Sequence, residues 1–216
     1  MVDITKVDPA KIEELSFKII EEEAGEHDLR PEEWAVVRRL IHTTADFDFL
    51  EKTRFHQEAV AAGIAAMRVG AAIVTDTRMA QAGITKKHLA PFGSEVQCFI
   101  DDAEVVTVAQ GENITRAAAA ISHARELLHG GIAVIGNAPT ALIELVRLHD
   151  RGELQPALVV GMPVGFVNAA EAKELLMASG MVHITVAGRK GGSAVAAATV
   201  NALANLAGKE SKAQSA

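Results

Sequence analysis

Ala157-Leu158-Val159-Val160-Gly161-Met162-Pro163-Val164-Gly165-Phe166 is the stretch whose reading decides the fold. A short apolar run of strand-forming residues gives way to a glycine-bearing turn, and a helix-forming segment follows from about Ala169. The same order recurs at Ile132-Ala133-Val134-Ile135-Gly136-Asn137-Ala138-Pro139-Thr140 and at His183-Ile184-Thr185-Val186-Ala187-Gly188-Arg189-Lys190-Gly191-Gly192-Ser193. This is the strand-to-helix junction of a parallel α/β sheet, where ligands bind outside the carboxyl ends of the strands. Glycine there lets backbone come close to a ligand, and the helix N-termini that follow favour anionic groups. Three such turns in succession point to one shared pocket for something large and negatively charged.

Working outward, the pattern gives five strands: Ala71 to Thr75, Val96 to Ile100, Ile132 to Ile135, Ala157 to Val160 and Ile184 to Ala187. Helical segments are expected near Arg116 to Leu128, Thr140 to Leu148, Ala169 to Met177 and Ser193 to Leu206. Strand alternating with helix predicts a mainly parallel sheet covered on both faces. The expected class is α/β: a flavodoxin-like, doubly wound, five-stranded sheet preceded by a helical N-terminal region. That region starts at Asp8-Pro9, a cap followed by proline at the first helical position. Ile12, Leu15, Ile19 and Ile20 fall on one face of the helix it opens. Pro31-Glu32-Glu33 opens a second helix with Val36, Val37, Leu40 and Ile41 as its apolar stripe, and a third is expected from Phe55 to Val69. The last helix carries Ala194, Ala196, Ala197, Ala198, Ala202 and Ala204, small residues that let helices or a second subunit approach closely.

At 216 residues, with about half of them apolar (49%), the chain suits one domain over residues 1 to 208, followed by a polar, fraying tail at 209 to 216. A net charge of -7 without any basic run argues against nucleic acid as partner. The only cysteine, Cys98, excludes an internal disulfide and a multi-cysteine zinc site, and its strand-like setting predicts a small buried residue. Asp3, Lys6 and Asp8 interrupt any signal-like stretch, and no apolar run is long enough for a bilayer. The expectation is a cytoplasmic protein without a membrane partner.

Several chemistries lack their motif. Arg189-Lys190-Gly191-Gly192-Ser193 does not have phosphate-loop spacing, Gly161 to Gly165 is not a dinucleotide fingerprint, and neither HExxH nor GxSxG occurs. No metal site or cofactor is expected. His42, near the end of the second helix, is the candidate for proton chemistry, since histidine exchanges protons near neutrality. Arg39 lies three residues earlier on the same helical face, and Asp46 is placed to orient the ring if the chain turns back. A plain helix-end histidine meeting the helix dipole is the competing reading. Arg116 puts a cation at a helix N-terminus, a conflict that either an anionic ligand or an ion pair with Glu112 resolves. Asp76 reads as a helix cap. Met162, inside the glycine turn, reads as a ligand contact.

Taken together these residues resemble the precorrin-8X methylmutase (precorrin isomerase) family, which includes cobalt-precorrin-8 methylmutases. The matching stretches are Ser16 to Ile20, Val37 to Asp48, Thr75-Asp76-Thr77-Arg78-Met79, Ile114-Thr115-Arg116, Gly136 to Leu142, Gly161 to Ala172 and Gly188 to Asn201, in order along nearly the whole chain. The resemblance implies an isomerase of cobalamin biosynthesis that moves a methyl group from C-11 to C-12 of a corrin precursor. It uses no external donor and yields hydrogenobyrinate or cobyrinate. It implies a flavodoxin-like homodimer with no cofactor of its own, any cobalt being carried by the corrinoid substrate. His42 falls on the family's catalytic proton donor and acceptor, and Ser16 and Arg39 on its substrate contacts.

A ring bearing many carboxylates also suits the residues around the glycine turns. Arg39, Arg116, Arg189 and the N–H groups at helix starts would hold carboxylates. Met162, Val164 and Phe166 would lie against the ring, and Thr43, Asn137, Ala138, Thr140, Pro163 and Gly165 complete the expected substrate-binding set. The segments from His42 to Phe49 and from Gly188 to Ser193 look more like the cobalt branch. A flavin- or phosphate-binding module and a non-catalytic tetrapyrrole carrier are the alternatives.

Overall fold

The computed structural model describes residues 8 to 214, and side chains as far as Lys209. A 3-10 turn at Pro9–Lys11 is capped by Asp8, whose side chain accepts from Ala10 N at 3.1 Å. It leads into α1 (Ile12–Ala24) and then α2 (Pro31–Thr44). Only Ile20 of the expected α1 stripe is buried; Ile12, Leu15 and Ile19 are 51%, 41% and 44% exposed. The reason is that α1 is tied to α2 through polar groups. Arg39 pairs with Glu13, and Glu21 accepts from Arg38 Nη1 at 2.7 Å and Trp34 Nε1 at 3.2 Å. The apolar stripe of α1 is left uncovered. The stripe of α2 is core as expected, with Val36, Val37, Leu40 and Ile41 buried.

The helix ends where Ala45 turns left-handed at φ 52° and donates to Ile41 O. Next come α3 (Asp48–Lys52), β1 (Thr53–Phe55) and α4 (Ala59–Arg68). The helix expected from Phe55 therefore starts only at Ala59. Thr-Arg-Phe is instead a strand with Thr53 buried and Arg54 exposed, paired antiparallel with β6 (His183–Val186), Thr53 lying opposite Val186.

Between these lie β2 (Ile73–Thr75), α5 (Arg78–Gly83), α6 (Lys86–Leu89), β3 (Val96–Gln97), α7 (Ala103–Gly111), α8 (Arg116–His123) and α9 (Arg125–Leu128). They are followed by β4 (Ile132–Ile135), α10 (Pro139–Asp150), β5 (Leu158–Gly161) and α11 (Ala169–Ala178); α12 (Ser193–Gln214) follows β6. The helix expected over Arg116 to Leu128 is broken at Ala124 into α8 and α9. The polar end expected to fray from residue 209 continues α12 as far as Gln214.

The sheet has six strands rather than five, ordered β1-β6-β5-β4-β2-β3, with every pairing parallel except β1 with β6. Strand β3 is two residues long, ending before the buried Cys98. Along β4, Ile132 and Val134 enter the core layer shared with α2, α4 and α12, whereas Ala133 and Ile135 enter the layer shared with α8, α10 and α11. This two-residue alternation between two apolar layers is why the strand reads as an unbroken hydrophobic run.

The small residues of α12 serve close packing. A Cβ on Gly83 would come within 2.9 Å of Ala197 Cβ, and one on Gly136 within 2.6 Å of Ser193 Cα. A still closer approach than these two lies between the turns after β5 and β6, where a Cβ on Gly191 would stand 2.3 Å from Met162 O. Gly191→Ala should therefore force the two turns apart and lower stability by about 1–3 kcal/mol. Denaturant unfolding measures it, and a variant as stable as the wild type would mean that the turns yield freely.

Candidate functional site

The carboxyl ends of β2, β4, β5 and β6 open onto one rim. At its centre Asp76, directly after β2, is buried and accepts three backbone N–H bonds: Gly136 N to Oδ1 at 2.9 Å, and Asn137 N and Ala138 N to Oδ2 at 2.8 Å each. Burial pushes its pKa up, and the three donors oppose that shift. Asp76 is thus a cap, but for α10; Thr77 caps its own helix α5 by accepting from Ala80 N. Asn137 and Ala138, expected in the substrate-binding set, therefore have their N–H groups taken by the protein's own carboxylate, so the expected role of helix-start N–H groups as carboxylate holders does not apply at these two.

Beside it, Thr140 Oγ1 lies 2.7 Å from Thr115 Oγ1, joining the starts of α10 and α8. Arg116 pairs with Asp101 at 3.4 Å, not with Glu112, and Arg78 reaches the other oxygen of Asp101 at the same distance. Two half-exposed guanidinium groups share one carboxylate, leaving an excess of positive charge on the rim.

The turns after β5 and β6 are joined by Gly192 N donating to Met162 O at 2.9 Å and Gly165 N to Arg189 O at 3.3 Å. Met162 itself is fully buried and accepts from Thr199 Oγ1 at 3.5 Å through its sulfur. The expectation of a ligand contact there is corrected: Leu158, Val160 and Met162 all enter the same core layer, so the strand's alternation carries through the turn's first residue. Pro163 is buried as well. The outward residues are Val164, Phe166 and Val167, with Arg189 Cζ 5.5 Å from the Phe166 ring centroid. Gly165 holds φ 146° with nothing within 4 Å of where a Cβ would stand.

The third part of the rim is the end of α2. The partly buried His42 stands edge-on to Phe17, ring centroids 5.2 Å apart, and makes no hydrogen bond to another described residue. The Phe17 ring also carries Arg38 and Arg39 at 4.5 and 4.7 Å. Arg39 is paired with Glu13, whose carboxyl it holds below the usual range. Ser16 and Thr43 donate their hydroxyls to Ile12 O and Arg39 O, each at 2.8 Å, and keep their oxygens free to accept. Asp46 does not orient His42. Its carboxylate pairs with Lys190 in the β6 turn and caps Asp48 N. Lys190 also reaches Asp48 at 2.8 Å, and with Lys52 holds that carboxyl down to about 2.

Arg39 and Thr43 further line a cleft of about 530 Å³ between α2, α12 and the α5–α6 turn, opposite His88, whose Nδ1 has no hydrogen-bond partner. The three parts of the rim meet through Lys190 with Asp46, and through Thr77 Oγ1 with Ser193 Oγ at 2.8 Å. Among the described residues one group, Asp102, Glu104 and His123, brings three metal-ligating atoms within 4.8 Å of one another. All three already have partners: Asp102 caps α7, and His123 and Glu104 pair with each other at 3.9 Å.

Sequence reading missed four charged residues of the rim: Glu13, Arg78, Lys173 and Lys190. Arg78 and Lys190 stood inside matched stretches and Lys173 at the end of one, in a segment read as an ordinary helix. Lys173 is wholly buried on α11, its Nζ donating to Lys190 O at 2.7 Å, and desolvation pushes its pKa down to about 8.

The open sheet end, its apolar tip and its guanidinium groups define an α/β protein with a basic, partly apolar rim at the carboxyl ends of its strands. A family profile described as precorrin-8X methylmutase matches residues 11 to 206. A cobalt-precorrin-8 methylmutase of Priestia megaterium is 45% identical over 93% of this chain and 89% of its own. A precorrin-8X methylmutase of Pseudomonas aeruginosa is 44% identical over 94% and 98%. The crystal structure of precorrin-8x methyl mutase from Thermus thermophilus superposes with a TM-score of 0.86 at 47% identity, covering 93% of this chain and 98% of that one. The chain belongs to the precorrin-8X methylmutase family. It is an isomerase that performs an intramolecular methyl shift in cobalamin biosynthesis.

Lys173 gives the fold a pH signature. Its proton is lost at about 8 in the folded chain and near 10.5 when unfolded. Between those values the unfolded state binds more protons, so stability rises with pH across that window. The wild-type denaturant midpoint should climb from about pH 8 to about pH 10 more than that of Lys173→Met. Parallel curves for the two proteins would refute the shift.

Proposed function

We propose that this chain moves the C-11 methyl group of precorrin-8X or cobalt-precorrin-8 to C-12, and that His42 is its proton donor and acceptor. The observation that carries this reading is the state of His42: an imidazole without a hydrogen-bond partner among the described residues, at the rim of the sheet end, beside Arg39. An unpartnered imidazole is free to exchange a proton with a bound ligand. Arg39, Arg78, Arg116 and Arg189 hold ring carboxylates, Ser16 and Thr43 accept or donate beside them, and Val164 and Phe166 lie against the ring. Holding a macrocycle rigidly while a proton is delivered lowers the barrier to the shift.

The cobalt form is the favoured substrate, since the His42 to Phe49 and Gly188 to Ser193 segments resemble that branch. With cobalt on the ring nitrogens, those atoms are no longer proton acceptors, and His42 delivers its proton to ring carbon. We infer further that the five parallel strands form a flavodoxin-like doubly wound sheet, the order β3-β2-β4-β5-β6 supporting it. The protein acts in the cytoplasm; among the described residues no helix is long and apolar enough to cross a membrane. It works as a homodimer, a reading supported by the exposed stripe of Ile12, Leu15 and Ile19 on α1.

Incubation with the metal-free and the cobalt precursor, followed by absorbance and mass analysis, tests the reaction. Isomerisation alters the conjugation at constant mass, with the cobalt precursor converted faster. A carrier would bind and leave both spectrum and methyl position as they were. His42→Ala should abolish turnover while circular dichroism stays that of the wild type, and normal turnover in that variant would remove His42 from the mechanism.

Arg39→Ala and Arg116→Ala should each weaken product binding by about 1.5–3 kcal/mol if they meet shielded carboxylates. Absorbance titration reads this out. Unchanged affinity in both would place them outside the pocket.

A further inference from the structure

Lys173 has relative exposure of 0% and is the largest fully buried side chain among the described residues. A methionine would fill the same space without the cost of desolvating an ammonium group. No carboxylate compensates it; burial is the sole cause of its lowered pKa, and its one hydrogen-bond acceptor is Lys190 O at 2.7 Å. It has no opening to solvent or to a described cleft, so it is not placed to touch a ligand. What it holds is a single carbonyl in a glycine-rich segment: Gly188, Gly191 and Gly192 all have positive φ, at 79°, 159° and 128°.

That carbonyl belongs to the residue whose ammonium group crosses to Asp46 and Asp48. Residue 190 is therefore fixed at both ends. Its backbone is anchored to α11, in the layer that contains Ala172 and Leu176, and its side chain to the segment after α2, in the opposite layer. Asp46 stands four residues beyond His42, past the left-handed turn at Ala45. We propose that Lys173 is a positioning residue: through Lys190 it braces the His42-bearing end of α2 against the joined turns after β5 and β6, across the carboxyl end of the sheet. The proposal rests on His42 and those turns acting on one ligand.

The test compares Lys173→Met, which keeps the length and loses the donor, with Lys190→Met, which cuts the same brace at its exposed end. Each should lower kcat by about tenfold or more, as a displaced catalytic group does, with product affinity within about threefold of wild type. The double variant should lose no more than the worse single variant, because both changes break one connection. A lowered melting temperature with full kcat would overturn the proposal, as would losses that multiply. If Lys173→Met does not fold, Lys190→Met decides: normal kcat overturns the brace, and a selective kcat loss upholds it. Amide hydrogen exchange at residues 45 to 50 gives a readout that needs no substrate. Faster exchange there in either folded variant upholds the brace, and wild-type exchange overturns it. Failure of the wild type to convert either precursor would count against the activity instead, and the exchange result would still stand.

Discussion

The carboxylate of Asp76 fixes the place where the two halves of the sheet part. Strand β2 has β3 on one side and β4 on the other, and the chain passes outward to β3 before returning to build β4, β5 and β6. At that reversal Asp76 donates its own N–H to Val134 O at 3.1 Å and takes the N–H groups of Gly136, Asn137 and Ala138 with its two oxygens. A buried carboxylate with three such donors satisfies the N–H groups of the turn that leads into α10 and at the same time locks the end of β2 to the end of β4. The Thr77–Ser193 contact, the seating of Ser193 against Gly136 and the joined turns after β5 and β6 are all built outward from that junction.

The same interaction bears on how the proposed function would have an anionic ligand held. In many α/β proteins the helix N-terminus at the switch point takes the ligand's charge. Here the N–H groups of the turn leading into that helix are taken from within, and in the proposed function the carboxylates fall to side chains on the rim. Arg78 and Arg116 have only Asp101 between them, and Arg189 leans over Phe166. Guanidinium groups suit this task because they stay charged and bind carboxylates in a bidentate manner. Arg39 is different, being already paired with Glu13. In the proposed function a ligand carboxylate there would displace a carboxylate of the protein on α1, the helix that also carries Ser16 and Phe17.

What the sequence made legible follows from the range of the interactions involved. Strands β4, β5 and β6 could be read because each is a run buried on both faces and closed by glycine, a local signal. His42 and Arg39 could be paired because helical spacing is local too. Strand β1 could not, since Thr-Arg-Phe becomes a strand only by pairing with residues about 130 positions later, a non-local contact of the kind periodicity does not report. The partners of Arg39 and Asp46 lie 26 and 144 residues away for the same reason. Periodicity placed Ile12, Leu15 and Ile19 on one face correctly, but it carries no information about whether anything covers that face. Met162 was misread although its signal was present: counting by twos from Leu158 sends it inward, and the turn glycines drew attention away from that register.

The site's position in the layers explains why it needs bracing at all. Across the body of the sheet the buried residues of the two faces form separate layers. At the carboxyl ends of the strands that separation stops, and α2 from one layer meets the turns that lead to α11 and α12. The residues that the proposed function brings to one ligand there have a relative position that no strand pairing defines. Positive-φ glycines let the turns come close, as Gly191 does against Met162 O, yet the same freedom leaves them soft. Charged contacts across the gap, Lys190 to Asp46 and Asp48, supply the definition that the sheet does not. They lie at the surface and would be weak alone. Their value for geometry comes from the buried end of the same residue, where the Lys190 carbonyl is held by an ammonium group shielded from water.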